Sequence, residues 1–324
     1  MRVGAIDIGS NSVRLLVADV TGEGTLSTVA RAGEPCRLAS DMDRTGEVRR
    51  ELAEKAASLV ASFANRARTM GARHVIAGAT AALRGASNGR WAADLIGERA
   101  GVEVRILTGD EEARLVYQSV VFGLGAIGQR NPCIVFDIGG GSTEVVSGVG
   151  GVAGRWVSLP LGAVTLTERF LASPTSDPSG PTTDSTSRPP LPEAVEALEA
   201  HVAGQLVHAC ALMPTSAPLL AGVGGTVTVM GMLDQKMVNY DPALLEGYLI
   251  LSERANSLIH GILTSSHKER RSWPAMGEGR ADIVVAGALV VRGLLRRFPS
   301  AGLVCSTQGL RYGLAREAAR LNAA

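Results

Sequence analysis

"DIGGGSTE", Asp137 to Glu144, follows directly on the apolar run "CIVF" and sets three glycines between an acid and a Ser-Thr-Glu triplet. Glycine costs conformational entropy on folding, so a run of it needs a reason. At a strand end the usual reason is something that must approach the backbone closely. The stretch has an echo. "DIGSNSVRLLVAD" starts at Asp7 and "DIGGGSTEVVSGV" at Asp137, and Asp7/Asp137, Ile8/Ile138, Gly9/Gly139 and Ser12/Ser142 recur in step. Each copy reads as an apolar strand, a tight turn and a second apolar strand. Two hairpins of one design predict two related domains facing each other. The copies differ at the last turn position, Arg14 in the first and Glu144 in the second. A cation on one hairpin and an anion on the other suits a ligand that is part phosphate and part metal.

Composition narrows the classes. The chain has 324 residues, 46% hydrophobic and 19% charged, which is the balance of a globular protein of two ordinary domains. A net charge of +1 carries no basic field of the kind nucleic-acid binding needs. An anionic ligand must then be gripped by local Arg and backbone groups. The four cysteines (Cys36, Cys133, Cys210, Cys305) form no CxxC and read as reduced, buried thiols of a cytoplasmic protein. Met1-Arg2 runs straight into a strand-like stretch, with no secretory leader expected. The longest apolar run, "IVVAGALVV" (Ile283–Val291), is too short for a bilayer, so no membrane partner is expected.

Between the hairpins the elements alternate. "ELAEKAASLVASFANRARTM" (51–70) has apolar residues at helical spacing and ends at Gly71. "HVIAGAT" reads as a buried strand, "NGRWAADLIGERAG" as a helix, "VEVRIL" as a strand, and "DEEARLVYQSVVFGL" as a helix with acids in its first turn. Strands "CIVFDI", "TEVVSGV", "RWVSLPL", "PLLAGVGG" and "GLVCS" follow, with helices between. The expectation is an α/β fold of mixed sheets. One segment breaks the pattern: residues 172–192 hold 15 Pro, Ser or Thr in 21 positions and read as a mobile surface insertion.

The strand-turn-strand with Asp at the strand end can cradle phosphate. Glycines let turn N–H groups reach phosphate oxygens with no Cβ in the way. Asp137 can hold Mg²⁺, usually through water, and Glu144 a water or the same ion. One copy alone is equally a tight hairpin whose Asp and Ser bond the turn backbone. A third cluster, "GVGGTVTVM" (Gly222–Met230), tips the balance to phosphate. Its glycines and Thr226 precede a helix whose N-terminus favours anions.

The assembly resembles the actin-like, sugar-kinase and chaperone ATPase superfamily. Within it, the chain looks like a member of the exopolyphosphatase / guanosine pentaphosphate phosphatase (Ppx/GppA) family. The matching stretches are "AIDIGSNSVRLLV", "GEPCRL", "ATAALRGASN", "ILTGDEEARL", "FDIGGGSTE", "LPLGAV", "GVGGT" and "GRADIVVAGA", in family order from residue 5 to 288. The resemblance implies two actin-like (ribonuclease H-like) domains around a central cleft. They are expected at 1–125, with the C-terminal helix 306–324 packing back, and at 126–305. It also implies Mg²⁺- or Mn²⁺-dependent hydrolysis of a terminal phosphoanhydride. Glu112 would activate water, with Glu111 as the alternative in the doubled acid. Asp137, Glu144 and Asp7 would serve the metal. Ser10, Asn11, Ser12, Arg14, Arg84, Gly139, Gly140, Gly141, Ser142, Gly224, Gly225, Thr226 and Arg280 would hold phosphate. Ala81 and Gly85 depart from the family's usual "ATSALR" surroundings and loosen the assignment of Arg84. The C-terminal helical domain of longer members is expected to be absent.

Taken alone, the acids at 111 and 112 only complement a helix dipole, and Arg84 and Arg280 are ordinary ion-pair residues. The substrate implied is inorganic polyphosphate, favouring short chains. Guanosine pentaphosphate is the alternative within the family; an ATP-dependent kinase or a non-catalytic nucleotide sensor is the alternative outside it. A homodimer is compatible with the sequence. "HKERR" (His267–Arg271) reads as a solvated loop, His201 and His208 as surface residues, and Cys36 as a small buried residue.

Overall fold

The first hairpin is strand β1 (Arg2–Ile8) folding back antiparallel into β2 (Ser12–Val20), with Asp7 opposite Arg14 and Ile8 opposite Val13. In the computed structural model, which describes residues 1–21, 24–171, 187–277 and 279–321, this hairpin is the centre of one sheet. Strand β3 (Leu26–Pro35) pairs antiparallel with β2. On the other side β4 (His74–Ala79) runs parallel to β1 and β5 (Val104–Ile106) parallel to β4, giving the order β3-β2-β1-β4-β5. Side chains alternate across a strand, so each sheet face has its own cover. Ile6, Ile8, Ala77 and Ala79 belong to the core built with the helices Arg50–Thr69 and Gly89–Ala100. Those helices meet the sheet through small residues, Ala53, Ala56, Ala57, Ala64, Ala92 and Ala93, all buried. Gly78 points the other way, and its missing side chain makes room for Leu314 of the helix Leu310–Leu321.

The second sheet repeats this plan. Strands β6 (Cys133–Ile138), β7 (Thr143–Val149) and β8 (Val152–Leu159) form an antiparallel meander. Strand β9 (Leu219–Gly224) lies parallel to β6, and β11 (Gly302–Cys305) parallel to β9. The order β8-β7-β6-β9-β11 is that of the first sheet, with β10 (Leu249–Leu251) added at the edge. The register repeats as well: Asp137 faces Glu144 and Ile138 faces Thr143. The core here is mostly aliphatic around Phe136 and Phe298, with the helix Val284–Arg297 buried from Val284 through Val291. The apolar run at 283–291 is thus a buried helix, and no described helix is long and apolar enough to cross a membrane.

The chain divides into two compact units. Unit 1 is Met1–Ser119 with Gln308–Ala324, and unit 2 is Val120–Thr307. The two mixed sheets with their helices make the α/β class that the alternation of elements predicts. Of the Pro/Ser/Thr-rich segment 172–192, residues 172–186 lie outside the described residues, and the helix Pro192–Ala209 begins at its last proline.

Candidate functional site

In unit 2 the glycine turn is held from beneath. Gly139 donates its N–H to the Ser142 carbonyl at 2.9 Å and closes the hairpin. The Gly139 carbonyl accepts from Ala163 (2.9 Å), and the Gly140 carbonyl accepts from Val164 (2.9 Å) and Thr165 (3.2 Å). The turn carbonyls thus point into the start of the next helix. The N–H groups of Gly140 and Gly141 meet no acceptor among the described residues. Adjacent backbone donors of this kind are an anion cradle. The strap can come this close because Gly162 has no side chain; a Cβ there would stand 2.2 Å from the Gly140 oxygen.

Beside the turn, Glu144 is 2% exposed and faces Asp137 across the hairpin. Its Oε1 accepts hydrogen bonds from the hydroxyls of Ser142 (2.7 Å) and Ser158 (2.8 Å). The third glycine cluster closes on the same strand end. Gly224, at φ 107°, lies opposite Ile138, and a Cβ on it would stand 2.7 Å from the Ile138 oxygen and 3.1 Å from Oδ1 of Asp137. Gly225 opens the helix Gly225–Asp234, and the Arg280 guanidinium lies over it, Nε 3.6 Å from the position of a Cβ. Thr226 is buried against Gly287. Gly139–Ser142, Asp137, Glu144, Gly224, Gly225 and Arg280 therefore form one group.

Arg280 stands on a pinned loop. Arg270, 4% exposed, donates Nε to the Ala281 carbonyl (3.0 Å) and Nη1 to those of Ile262 (3.3 Å) and Ser265. Burial lowers its pKa, with Asp282 and Glu269 acting against that. "HKERR" is accordingly not the solvated loop expected. It is the short helix His267–Arg271, started by a Ser266/Glu269 capping box, and its one buried cation is Arg270. His201 is also not a simple surface residue: it packs on Phe170 with ring centroids 5.1 Å apart, and its Nε2 is buried with no hydrogen-bond partner among the described residues.

Unit 1 builds its turn by the same device from different residues. Gly9 donates to the Ser12 carbonyl at 3.1 Å. The Asn11 carbonyl accepts from Cys36 and Arg37, both 2.9 Å, and the Ser10 carbonyl from Ala39 at 3.1 Å. The segment "GEPCRL" is thus the support of this turn. The N–H groups of Ser10 and Asn11 have no acceptor among the described residues. Arg14 donates Nε to the Ser12 hydroxyl at 3.1 Å. Burial pushes the Asp7 carboxyl up, while Arg14 and Arg311 pull it back. Asp7, expected to serve a metal, therefore feels the charge of two guanidinium groups, one of them on its register partner Arg14.

The doubled acid resolves into two different environments. The Thr108 hydroxyl accepts the Glu111 N–H (3.2 Å), and Oε2 of Glu111 accepts the Thr108 N–H (2.9 Å). This is a capping box at the start of the helix Gly109–Gly123. Oε1 of Glu111 also takes Arg105 Nη2 at 2.9 Å, and Arg105 Nη1 reaches Glu317 at 2.8 Å. The Thr108 N–H above all, with Arg105 assisting against burial, holds the Glu111 carboxyl below its usual range. Glu112 is 6% exposed and takes Arg84 Nη1 on Oε2 at 2.6 Å. The same Nη1 also donates to the Leu107 carbonyl at 3.0 Å. Arg84, expected on phosphate, is in this structure the partner of Glu112.

Other groups are quiet. All four cysteines are buried and unpaired, and burial pushes Cys36 and Cys133 up to about 11 and Cys305 up to about 12. Among the described residues no three His, Cys, Asp or Glu side chains gather as a metal cluster. Sequence reasoning passed over Ser158 and Gly162, although both lie in or beside the quoted "LPLGAV". A glycine three residues after the end of β8 is the available signal.

The profile of the Ppx/GppA phosphatase family matches residues 16–320. The chain is 33% identical over 304 residues to exopolyphosphatase 2 of Mycobacterium tuberculosis, covering 91% of this chain and 90% of that protein. It is 32% identical over 288 residues to exopolyphosphatase 1 of Mycobacterium bovis, covering 83% and 82%. Among solved structures, the Ppx/GppA family member of Aquifex aeolicus superposes with a TM-score of 0.81 at 27% identity, covering 99% of this chain and 98% of that one. An exopolyphosphatase-like protein superposes with a TM-score of 0.88 at 28% identity over the same shares. With two actin-like α/β units carrying paired glycine hairpins, the chain belongs to the Ppx/GppA phosphatase family.

Proposed function

We propose that the protein is a divalent-metal-dependent exopolyphosphatase that removes the terminal phosphate of short inorganic polyphosphate. The observation that carries this reading is the Gly139–Ser142 turn, whose carbonyls are tied back while the N–H groups of Gly140 and Gly141 stay open beside two facing acids. The names of the mycobacterial relatives support the same activity.

In this reading unit 2 holds the phosphate end. The N–H groups of Gly140 and Gly141, the start of the helix Gly225–Asp234 and Arg280 bind phosphate oxygens. Asp137 and Glu144 fit a magnesium-type ion, which takes one or two protein carboxylates and completes its shell with water and phosphate oxygens. When bound, such an ion offsets charge on the phosphate oxygens. Asp7, whose charge is offset by Arg14 and Arg311, is not assigned to the metal. Glu112 is the residue assigned to take a proton from water as that water attacks the terminal phosphorus. The P–O bond to the chain breaks, leaving orthophosphate and a chain shorter by one. Arg84 keeps Glu112 oriented. Phosphoryl transfer depends mostly on positioning and charge, which is what these groups supply.

Short chains are favoured because a long polyanion needs a row of cations, by analogy with nucleic acid. This protein has a net charge of only +1. Its buried unpaired thiols fit a cytoplasmic setting. The test is orthophosphate release from tripolyphosphate, long polyphosphate, guanosine pentaphosphate and ATP side by side, with excess Mg²⁺ and with excess EDTA. Tripolyphosphate should turn over fastest, and EDTA should stop it. Preference for guanosine pentaphosphate, or full turnover in EDTA, would overturn the reading.

A further inference from the structure

We infer that Ser158 is a positioning residue that fixes which oxygen of Glu144 serves the phosphate cradle. The inference rests on the reading of Glu144 as a group that holds the metal or its water. Glu144 on β7 and Ser158 on β8 are register partners, so the backbone ladder sets their distance. Both the Ser158 and Ser142 hydroxyls donate to the same oxygen, Oε1, at 2.8 and 2.7 Å. The final torsion of a glutamate side chain is broad and roughly two-fold, so without donors its two oxygens interchange easily. Two donors on one oxygen remove that freedom and assign Oε2 to the other direction.

The two serines are not equivalent. Ser142 sits on the cradle turn itself and moves with it. Ser158 stands on a neighbouring strand, outside the turn, and holds the carboxylate from there. The same segment then runs to Ala163, Val164 and Thr165, whose N–H groups hold the turn carbonyls. One stretch of chain therefore sets both the direction of the carboxylate and the direction of the backbone donors. Ser158 is itself exposed, so removing its hydroxyl leaves no hole in the core.

The experiment compares Ser158→Ala, Ser158→Thr and Glu144→Gln in the full chain. Three quantities are read: kcat and KM on tripolyphosphate, Mn²⁺ affinity by calorimetry in the presence of inorganic phosphate, and Tm. Ser158→Ala should lower kcat and Mn²⁺ affinity by about tenfold each, the scale of one hydrogen bond to a charged group, with KM and Tm nearly unchanged. Ser158→Thr should restore both, since it returns the hydroxyl. In the Glu144→Gln background, Ser158→Ala should add little. Unchanged Mn²⁺ affinity and kcat in Ser158→Ala, a threonine that fails to rescue, or full additivity with Glu144→Gln would overturn the role of Ser158. Unaltered metal binding and turnover in Glu144→Gln would instead overturn the reading of Glu144 on which it rests.

Discussion

Exchanging one member of the pair Glu111–Glu112 at a time separates a helix cap from the proposed general base. Glu111 carries a capping-box bond to Thr108 and a bond to Arg105, and its neighbour carries Arg84. Successive helix residues point about 100° apart, so the two carboxylates cannot exchange roles. Glu112→Gln keeps the shape and removes the proposed base, and turnover should fall by about 10²–10⁴ with little change in Tm. Glu111→Ala removes the carboxylate half of the capping box and the bond to Arg105, leaving the Thr108 hydroxyl on the residue-111 N–H, which costs about 1 kcal/mol. For a protein of this size that lowers Tm by no more than about 4 °C, and turnover at a temperature well below Tm should stay close to wild type. The cap has a pH signature. The Glu111 carboxyl is lower in the folded than in the unfolded state. Its contribution is therefore fully present above the ordinary glutamate range and is lost as pH falls through the folded value. The Tm difference between wild type and Glu111→Gln should shrink from neutral to acid pH. Phosphate release and thermal melts across pH make the assay. Equal losses of turnover in the two variants, or a Glu111→Ala protein that loses turnover with unchanged Tm, would refute the division of roles.

Arg84→Ala should lower kcat by about tenfold or more with KM little changed, because the guanidinium is bonded to Glu112; a rise in KM with kcat kept would place it on phosphate instead. Gly162→Ala should weaken phosphate binding and lower Tm, since the new Cβ meets the Gly140 oxygen at 2.2 Å; unchanged KM would show that the turn absorbs the methyl group. Gly204→Ala, in the exposed middle of the helix Pro192–Ala209 with nothing within 4 Å of the new Cβ, should stabilise the protein by about 0.5–1 kcal/mol in denaturant melts. The four buried thiols should resist a disulfide reagent in the native state and all react after unfolding; rapid native labelling of any would contradict their burial.

The hairpins were legible because an apolar strand, a glycine turn and a second strand form a local pattern, and a pattern met twice is hard to mistake. The helix beginning at Gly109 is legible from its acids, and the part played by Glu111 is legible beside them. Thr108-Gly109-Asp110-Glu111 has the capping-box spacing, as does Ser266-His267-Lys268-Glu269 at the start of the helix His267–Arg271. Strand β3 escaped because it has little apolar alternation and is largely exposed; its pairing with β2 makes it a strand. The bond from Arg84 to Glu112 spans 28 residues and has no local trace in the sequence. Ser158 becomes visible as a partner of Glu144 only once the register of β7 against β8 is known.

The shared register of the two hairpins bears on how such a site can evolve. The facing pair is Asp7 with Arg14 in one copy and Asp137 with Glu144 in the other, while the strand pairing around them is unchanged. The ladder constrains the backbone and leaves that side chain open to replacement. A module encoded once carries a single residue at this position, and any change of sign there is a change for the whole protein. Encoded twice, it can keep an acid in one copy while the other acquires a cation, with no loss of fold in either. The two hairpins thus keep one register while one facing pair is charge-balanced and the other is wholly acidic.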